Sequence, residues 1–171
     1  MQRLETEMLG LSHTGSNEYV LVPPHCAVDR SVDLEEAHIM RSRGETEIAR
    51  DELLYLVSDC RGFIEAHYML GEMALEEEDI KLARGHFGFA YECGMEALPP
   101  GFKGRLPADE GENRWFFESG RGLARCLIAL GKPKEGREVL QALAKFDSQE
   151  EQVRALLAEL ASRESEKKGE K

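Results

Sequence analysis

The chain has 171 residues, 42% of them hydrophobic, which is enough for one domain with a substantial core. Its 33 acidic and 22 basic residues give a net charge of −11, which argues against binding to nucleic-acid phosphates and favours solubility or basic partners. There is no apolar run of the ~20 residues that a membrane span needs, and acidic residues stand where a secretory signal carries basic ones, so we expect a cytoplasmic protein that binds neither nucleic acid nor membranes.

An irregular N-terminal arm is predicted for residues 1–29, because glycines and the pair Pro23-Pro24 interrupt any helix there. The run Tyr19–Val22 is the apolar part of this arm. We expect it to pack as an extended segment on the helices of its own chain, and a contact with another molecule is the alternative.

Helical spacing of apolar residues predicts seven helices in the rest of the chain. The first helix begins near Asp33, which forms a capping box with Glu36, and it ends before Gly44. Gly131 ends the fifth helix and Pro133 begins the sixth. The predicted bounds of the second to fifth helices are 46–60, 63–76, 80–93 and 112–130. A capping box of Ser148 with Glu151 opens the seventh helix, which is predicted to end near Arg163.

Two segments lack helical spacing. Residues 95–111 contain three prolines and three glycines and are expected to form a long insertion loop, which is either a tolerated surface insertion or a mobile functional element. Residues 164–171 carry no apolar side chain and are expected to be disordered.

An internal repeat relates the first two predicted helix pairs. A period of about 34 residues is the length of a helix–turn–helix unit that buries its apolar face only by stacking on copies of itself. The repeat is imperfect, because Gly44 corresponds to Glu78. The residues that do correspond are Ala37 with Gly71, Ala49 with Ala83, Leu53 with Phe87 and Leu56 with Ala90.

The unit at 64–97 carries Leu70-Gly71 on its first helix and Ala83 and Phe87 on its second, at the spacing of the tetratricopeptide repeat family, which it resembles. This resemblance implies an all-α fold, an α-solenoid of antiparallel helix pairs in a tetratricopeptide-like superhelix of about seven helices. A Sel1-like repeat is the alternative, because the bulky aromatic residue that the family carries early in the first helix is missing from every unit. The repeat domain is predicted over 30–163, with further units near 30–63 and 117–150 and a capping helix at 148–163.

The resemblance also implies a function, that of a scaffold or adaptor without catalysis, which binds a partner protein or peptide in a concave groove lined by the first helices. Arg121 and Arg125 lie one helical turn apart, so they could bind a carboxylate or phosphate together, or pair instead with acidic neighbours such as Glu118. Trp115 begins an aromatic cluster and is a candidate interface residue. The predicted groove residues are His38, Arg41, Tyr68, Glu72, Arg121 and Arg125.

Two other functions stay open. The first is self-association, with Tyr19–Val22 or Trp115 as the contact. The second is an enzyme or accessory factor that uses His38, Glu72 and Arg125 in the groove. The sequence contains no Gly-rich phosphate loop and no nucleophile motif, so we expect no cofactor, no bound metal and no catalytic residue.

Four cysteines and a histidine pair are the remaining candidates for chemistry. The cysteines include no close pair of the kind that zinc sites use, so we expect buried or incidental reduced thiols, with redox or metal roles as alternatives. His67 and His86 lie on adjacent predicted helices and are expected to form a buried structural pair rather than a metal site. The cysteines are Cys26, Cys60, Cys93 and Cys126.

Overall fold

The computed structural model describes residues 8–169 as a β-hairpin followed by a row of helices. Each helix in this range packs against the next, and the short connections make neighbouring long helices antiparallel. None of the described helices is both long enough and apolar enough to cross a membrane. The elements are β1 (Gly10–Gly15), β2 (Glu18–Val22), α1 (His25–Asp29), α2 (Ser31–Ser42), α3 (Thr46–Asp59), α4 (Ile64–Glu76), α5 (Ile80–Glu96), α6 (Asn113–Ala129), α7 (Pro133–Phe146) and α8 (Glu151–Gly169).

Three helix pairs form the array, α2 with α3, α4 with α5, and α6 with α7, and α8 packs on the last pair. This is the all-α helical repeat that the sequence predicts, with eight helices in the described part of the chain instead of about seven. The additional helix is the short α1. The first long helix begins at Ser31, before the predicted capping residue Asp33.

The turn inside each pair uses one residue in the left-handed conformation. Gly44 and Gly131 provide it in the first and third pairs, with φ angles of 82° and 79°. In the second pair the residue is Glu78, with a φ angle of 61°. The backbone conformation of the turn is therefore the same in all three pairs, although the second pair has Glu78 where the other two have glycine.

Phe87 of α5 joins the second helix pair to the third. Its side chain is fully buried between two glycines, Gly71 of α4 and Gly122 of α6. A Cβ atom added to Gly71 would lie 2.5 Å from the ring, and one added to Gly122 would lie 2.8 Å from it. The two glycines thus let three helices approach one aromatic ring closely.

The predicted irregular arm is wrong for most of its length, because β1 and β2 form an antiparallel hairpin and α1 follows it. The turn of the hairpin contains Asn17 with a φ angle of 74°. Gly15-Ser16-Asn17, just before the apolar run Tyr19–Val22, is a turn signal that would have indicated a hairpin here. Residues 1–7 of the predicted arm lie outside the described residues.

The hairpin packs on its own chain through Asn113, the first residue of α6, whose side chain is fully buried. Its Oδ1 accepts a hydrogen bond from Leu21 N at 2.9 Å, and its Nδ2 donates to Tyr19 O and Pro107 O, both at 3.0 Å. Arg105 in the insertion adds backbone hydrogen bonds to the hairpin at 2.8 Å. The insertion spans 97–112 in the structure, because α5 extends to Glu96. It thus packs against the hairpin and supports it.

A disulfide joins Cys26 of α1 to Cys60 at the end of α3, so the expectation of reduced thiols is wrong for these two residues. Folding of α1 against the end of α3 brings them together, and this long-range contact has no local sequence signal. Cys93 and Cys126 are free and buried, as expected. Burial raises the pKa of the Cys93 thiol to about 11, so it carries little thiolate at neutral pH.

The C-terminal segment also differs from expectation. The predicted disorder of 164–171 is wrong over its first part, because α8 continues to Gly169. Residues 170–171 lie outside the described residues. Residues such as Glu164 and Glu166 extend the helix without an apolar face because Glu, Lys and Ser tolerate a solvated helix that an amphipathic segment has already begun.

Candidate functional site

The first helices of the three pairs, α2, α4 and α6, form one continuous face. Two polar side-chain contacts join α2 to α4. His38 Nε2 lies 3.1 Å from Glu65 Oε1, and Arg41 Nη2 lies 2.5 Å from Glu76 Oε1. We use the name first-helix face for the surface that contains His38, Arg41, Tyr68, Glu72, Trp115 and Glu118.

Tyr68 and Trp115 join α4 to α6 at the centre of this face. Their ring centroids are 5.3 Å apart with an interplanar angle of 38°, and both side chains are half-buried. The Tyr68 ring also lies 5.9 Å from the ring of Phe87, so the core supports the pair from below. The two sequence candidates therefore form an aromatic pair that remains partly exposed to solvent.

The charges around Tyr68 come from all three helices. Burial raises the pKa of the Tyr68 hydroxyl to about 12, and the carboxylates of Glu72 and Glu118 contribute in the same direction. Arg121 and Arg41 act against this shift. The hydroxyl therefore stays protonated at neutral pH and can donate a hydrogen bond.

Arg121 is not the exposed groove residue that the sequence predicts. Its side chain is only 5% exposed, and its guanidinium lies 2.6 Å from Glu118 and 2.5 Å from Glu150 at the start of α8. Pairing with Glu118 is the alternative that the sequence left open. Because two carboxylates already occupy the guanidinium, Arg121 is not available to bind a carboxylate or phosphate of a partner.

Arg125 lies apart from Arg121. It is exposed and lines a cleft of about 340 Å³ between α6 and α8, together with Leu156 and Glu159. Among the described residues, no hydrogen bond or ion pair joins Arg125 to His38 or Glu72. The contacts of the described residues therefore give no support to the enzyme alternative built on these three residues, which stays untested.

A further cleft lies away from the predicted groove. It has a volume of about 660 Å³ between α5 and α7, with a floor that includes Leu123 and Leu127 of α6. Gly85 and Gly88 also line the cleft. Its charged lining residues are Arg84, Glu92, Lys132, Glu135 and Glu138. None of the predicted groove residues lines it.

His67 and His86 form the expected pair, with their Nδ1 atoms 3.5 Å apart, although only His67 is buried and His86 is half-buried. Burial, aided by His86 and Arg61, lowers the pKa of His67 to about 3, so the pair is neutral at physiological pH. Within residues 8–169, no group of three or more His, Cys, Asp or Glu side chains is placed to hold a metal ion.

Glu112 is a functional candidate that the sequence analysis missed. It directly precedes α6, and burial raises the pKa of its carboxyl to about 7, with a further contribution from Glu65. Glu65 is the residue that contacts His38, so an acid of unusual pKa lies at the edge of the first-helix face. A glutamate at the start of a predicted helix carries no sequence signal of burial.

We expect Glu112→Gln to stabilise the protein at high pH. The folded-state pKa of about 7 is above the ordinary value of 4.5, so the Glu112 carboxyl costs no stability below about pH 4.5 and destabilises the fold increasingly as pH rises towards 7. Chemical unfolding across this range should show the variant gaining on the wild type as pH rises. The exposed Glu110→Gln variant is the control, and parallel pH profiles for Glu112→Gln and the wild type would contradict the expectation.

Comparison with known proteins agrees with the repeat architecture. A family model described as tetratricopeptide repeat matches residues 112–160, which cover α6, α7 and half of α8. The solved structure reported as "Functional Characterization of Pseudomonas Aeruginosa pilF" has a TM-score of 0.38 and 17% identity, covering 82% of this chain and 71% of that chain, and a similarity this low supports no argument. No curated protein matches the sequence. The match at 112–160 shows a tetratricopeptide repeat in that part of the chain, and the helix pairs that precede it have the same helix–turn–helix arrangement.

Proposed function

We propose that this protein is a non-catalytic scaffold that binds a segment of a partner protein on the first-helix face. The observation that supports this most directly is the Tyr68–Trp115 pair, which lies where α4 meets α6. Tetratricopeptide repeat domains in general bind protein partners, and aromatic side chains are enriched among the residues that dominate binding energy at interfaces.

The physical state of the pair suits it for binding. Phe87 and the surrounding core restrict the two rings before any partner arrives, so little side-chain entropy is lost on association. The protonated Tyr68 hydroxyl adds a hydrogen-bond donor next to the apolar ring surface.

The second candidate function, self-association through Tyr19–Val22, is weakened by the hairpin. Leu21 is 1% exposed, and Tyr19 and Leu21 are both hydrogen-bonded to Asn113 of the same chain. Light scattering on the purified protein measures its oligomeric state, and a monomer would leave partner binding as the better account.

The disulfide is a better indicator of the protein's cellular compartment than the composition is. Disulfides persist in oxidising compartments and are rare in the cytoplasm. The Cys26–Cys60 bond therefore favours an oxidising location over the cytoplasm that the sequence predicts. Thiol labelling of the native protein in extracts prepared under acid quench would measure the redox state of both residues.

We expect Trp115→Ala to lower the recovery of binding partners in affinity capture by about tenfold or more, because it removes the central aromatic residue of the face. Tyr55→Ala is the matched control, since Tyr55 is an aromatic residue, 51% exposed, on α3 and outside this face. Circular dichroism confirms that both variants fold. Equal recovery of the same proteins by the wild type and Trp115→Ala would contradict the proposal.

A further inference from the structure

We propose that the partner segment is basic, and that one of its lysine or arginine side chains binds at the Tyr68–Trp115 pair, close to the carboxylates of Glu72 and Glu118. This inference rests on the proposed function and adds the chemistry of the ligand. It is drawn from the charges on the face, from the cation that already lies on the Trp115 ring and from the state of Arg121.

The first-helix face has an excess of negative charge after its internal ion pairs are formed. Arg41 is matched by Glu76, while Arg121 is shared by two carboxylates, those of Glu118 and Glu150. Glu72 has no ion pair among the described residues, although it is close enough to Tyr68 to affect its titration. A cation at the aromatic pair therefore meets carboxylates that the protein does not itself neutralise.

Trp115 already has a cation on its ring. The guanidinium carbon of Arg114 lies 4.8 Å from the ring centroid, within the range of a cation–π contact. Arg114 is exposed on the surface, so a side chain from a partner can displace it. The contact marks a position where the ring and its surroundings accept a positive charge.

An acidic ligand is less well matched to the same place. Arg121 is buried, and its guanidinium already contacts Glu118 and Glu150. A carboxylate or phosphate placed here could pair with the exposed Arg114, but it would also lie close to the carboxylates of Glu72 and Glu118. The carboxylates near the aromatic pair thus favour a basic segment over an acidic one.

The test uses short random peptides displayed on phage, selected on the wild-type protein and depleted on Trp115→Ala. We expect the peptides that depend on Trp115 to be enriched in lysine and arginine. Peptides that depend on Trp115 but show no such enrichment would overturn this inference and leave the proposed function standing. If no peptide depends on Trp115, the proposed function fails as well.

Two conservative variants keep the inference testable if Trp115→Ala does not fold. For a synthetic selected peptide, fluorescence anisotropy should show affinity falling about two- to fivefold in Glu72→Gln, because one surface charge is lost, and the loss should shrink as salt is added. Glu138→Gln, on α7 and outside the face, is the control and should bind as the wild type does. Equal affinity for Glu72→Gln and the wild type would overturn the inference.

Arg114→Ala is expected to change the affinity for the selected peptide in the opposite direction. Because the variant removes the cation that competes for the Trp115 ring, affinity for the selected peptide should rise about two- to fivefold. A rise is difficult to explain if Arg114 only packs on the surface. An unchanged or lower affinity would show that the peptide does not take the position of Arg114 and would contradict the proposal.

Discussion

Phe87→Ala is expected to lower the free energy of unfolding by about 3–5 kcal/mol, the largest effect of any single truncation in the array. The ring is fully buried and is in contact with Gly71 on one side and Gly122 on the other. Neither glycine has a side chain that can move into the space left by the ring. The variant therefore creates a cavity between the second and third helix pairs that the structure cannot readily fill.

Urea or guanidinium unfolding of the purified variant measures this loss. Leu82→Ala is the matched control, because Leu82 lies on the same helix and is 47% exposed. We expect the control to change stability by less than about 0.5 kcal/mol, as most surface substitutions do. Similar losses for the two variants would mean that Phe87 does not join the helix pairs as described.

Removal of the Cys26–Cys60 disulfide is expected to have the second largest effect. The bond joins residues 34 apart in sequence, and closing a loop of that size restricts the unfolded chain by about 3–4 kcal/mol. The double variant Cys26→Ala and Cys60→Ala should lose about this amount of unfolding free energy. Cys60 is fully buried, so truncation of its side chain adds to the loss.

Reductant separates the cross-link from the truncation. Adding dithiothreitol should destabilise the wild type by about the same 3–4 kcal/mol and should leave the double variant unchanged. Because the other two cysteines are free and buried, they do not contribute to this response. If the wild type is equally stable with and without reductant, the bond is not formed in the protein.

Local pattern explains what the sequence could predict. The apolar spacing around Ala49 and Leu53, and the glycines that end helices, indicate helix position and repeat period because both depend on neighbouring residues. The hairpin escaped prediction because the hydrogen bonds that support β2 come from Asn113, which lies 92 residues beyond Leu21. The disulfide was missed because α1 must first fold against the end of α3.

In the candidate site, too, the sequence predicted what depends on local pattern and missed what depends on long-range contacts. Tyr68 and Trp115 could be assigned to facing helices from the repeat period, and the structure brings their rings together. Arg121 could not be judged, because its burial depends on Glu150 at the start of α8, which the repeat pattern does not relate to α6. Binding at the predicted groove residues remains a proposal, since contacts within the chain do not test it.

The contact between Asn113 and the hairpin changes how this array is expected to unfold. Helical repeats are nearly one-dimensional, so their ends fray while the middle stays folded. Here β2 is bonded to the start of α6, and the hairpin therefore closes a long loop around the first two helix pairs. This loop should make unfolding of the N-terminal two-thirds cooperative and leave α8, which packs mainly on α7, as the end that frays. Hydrogen exchange would show this as fast exchange in α8 and a shared slow rate from β2 to α6.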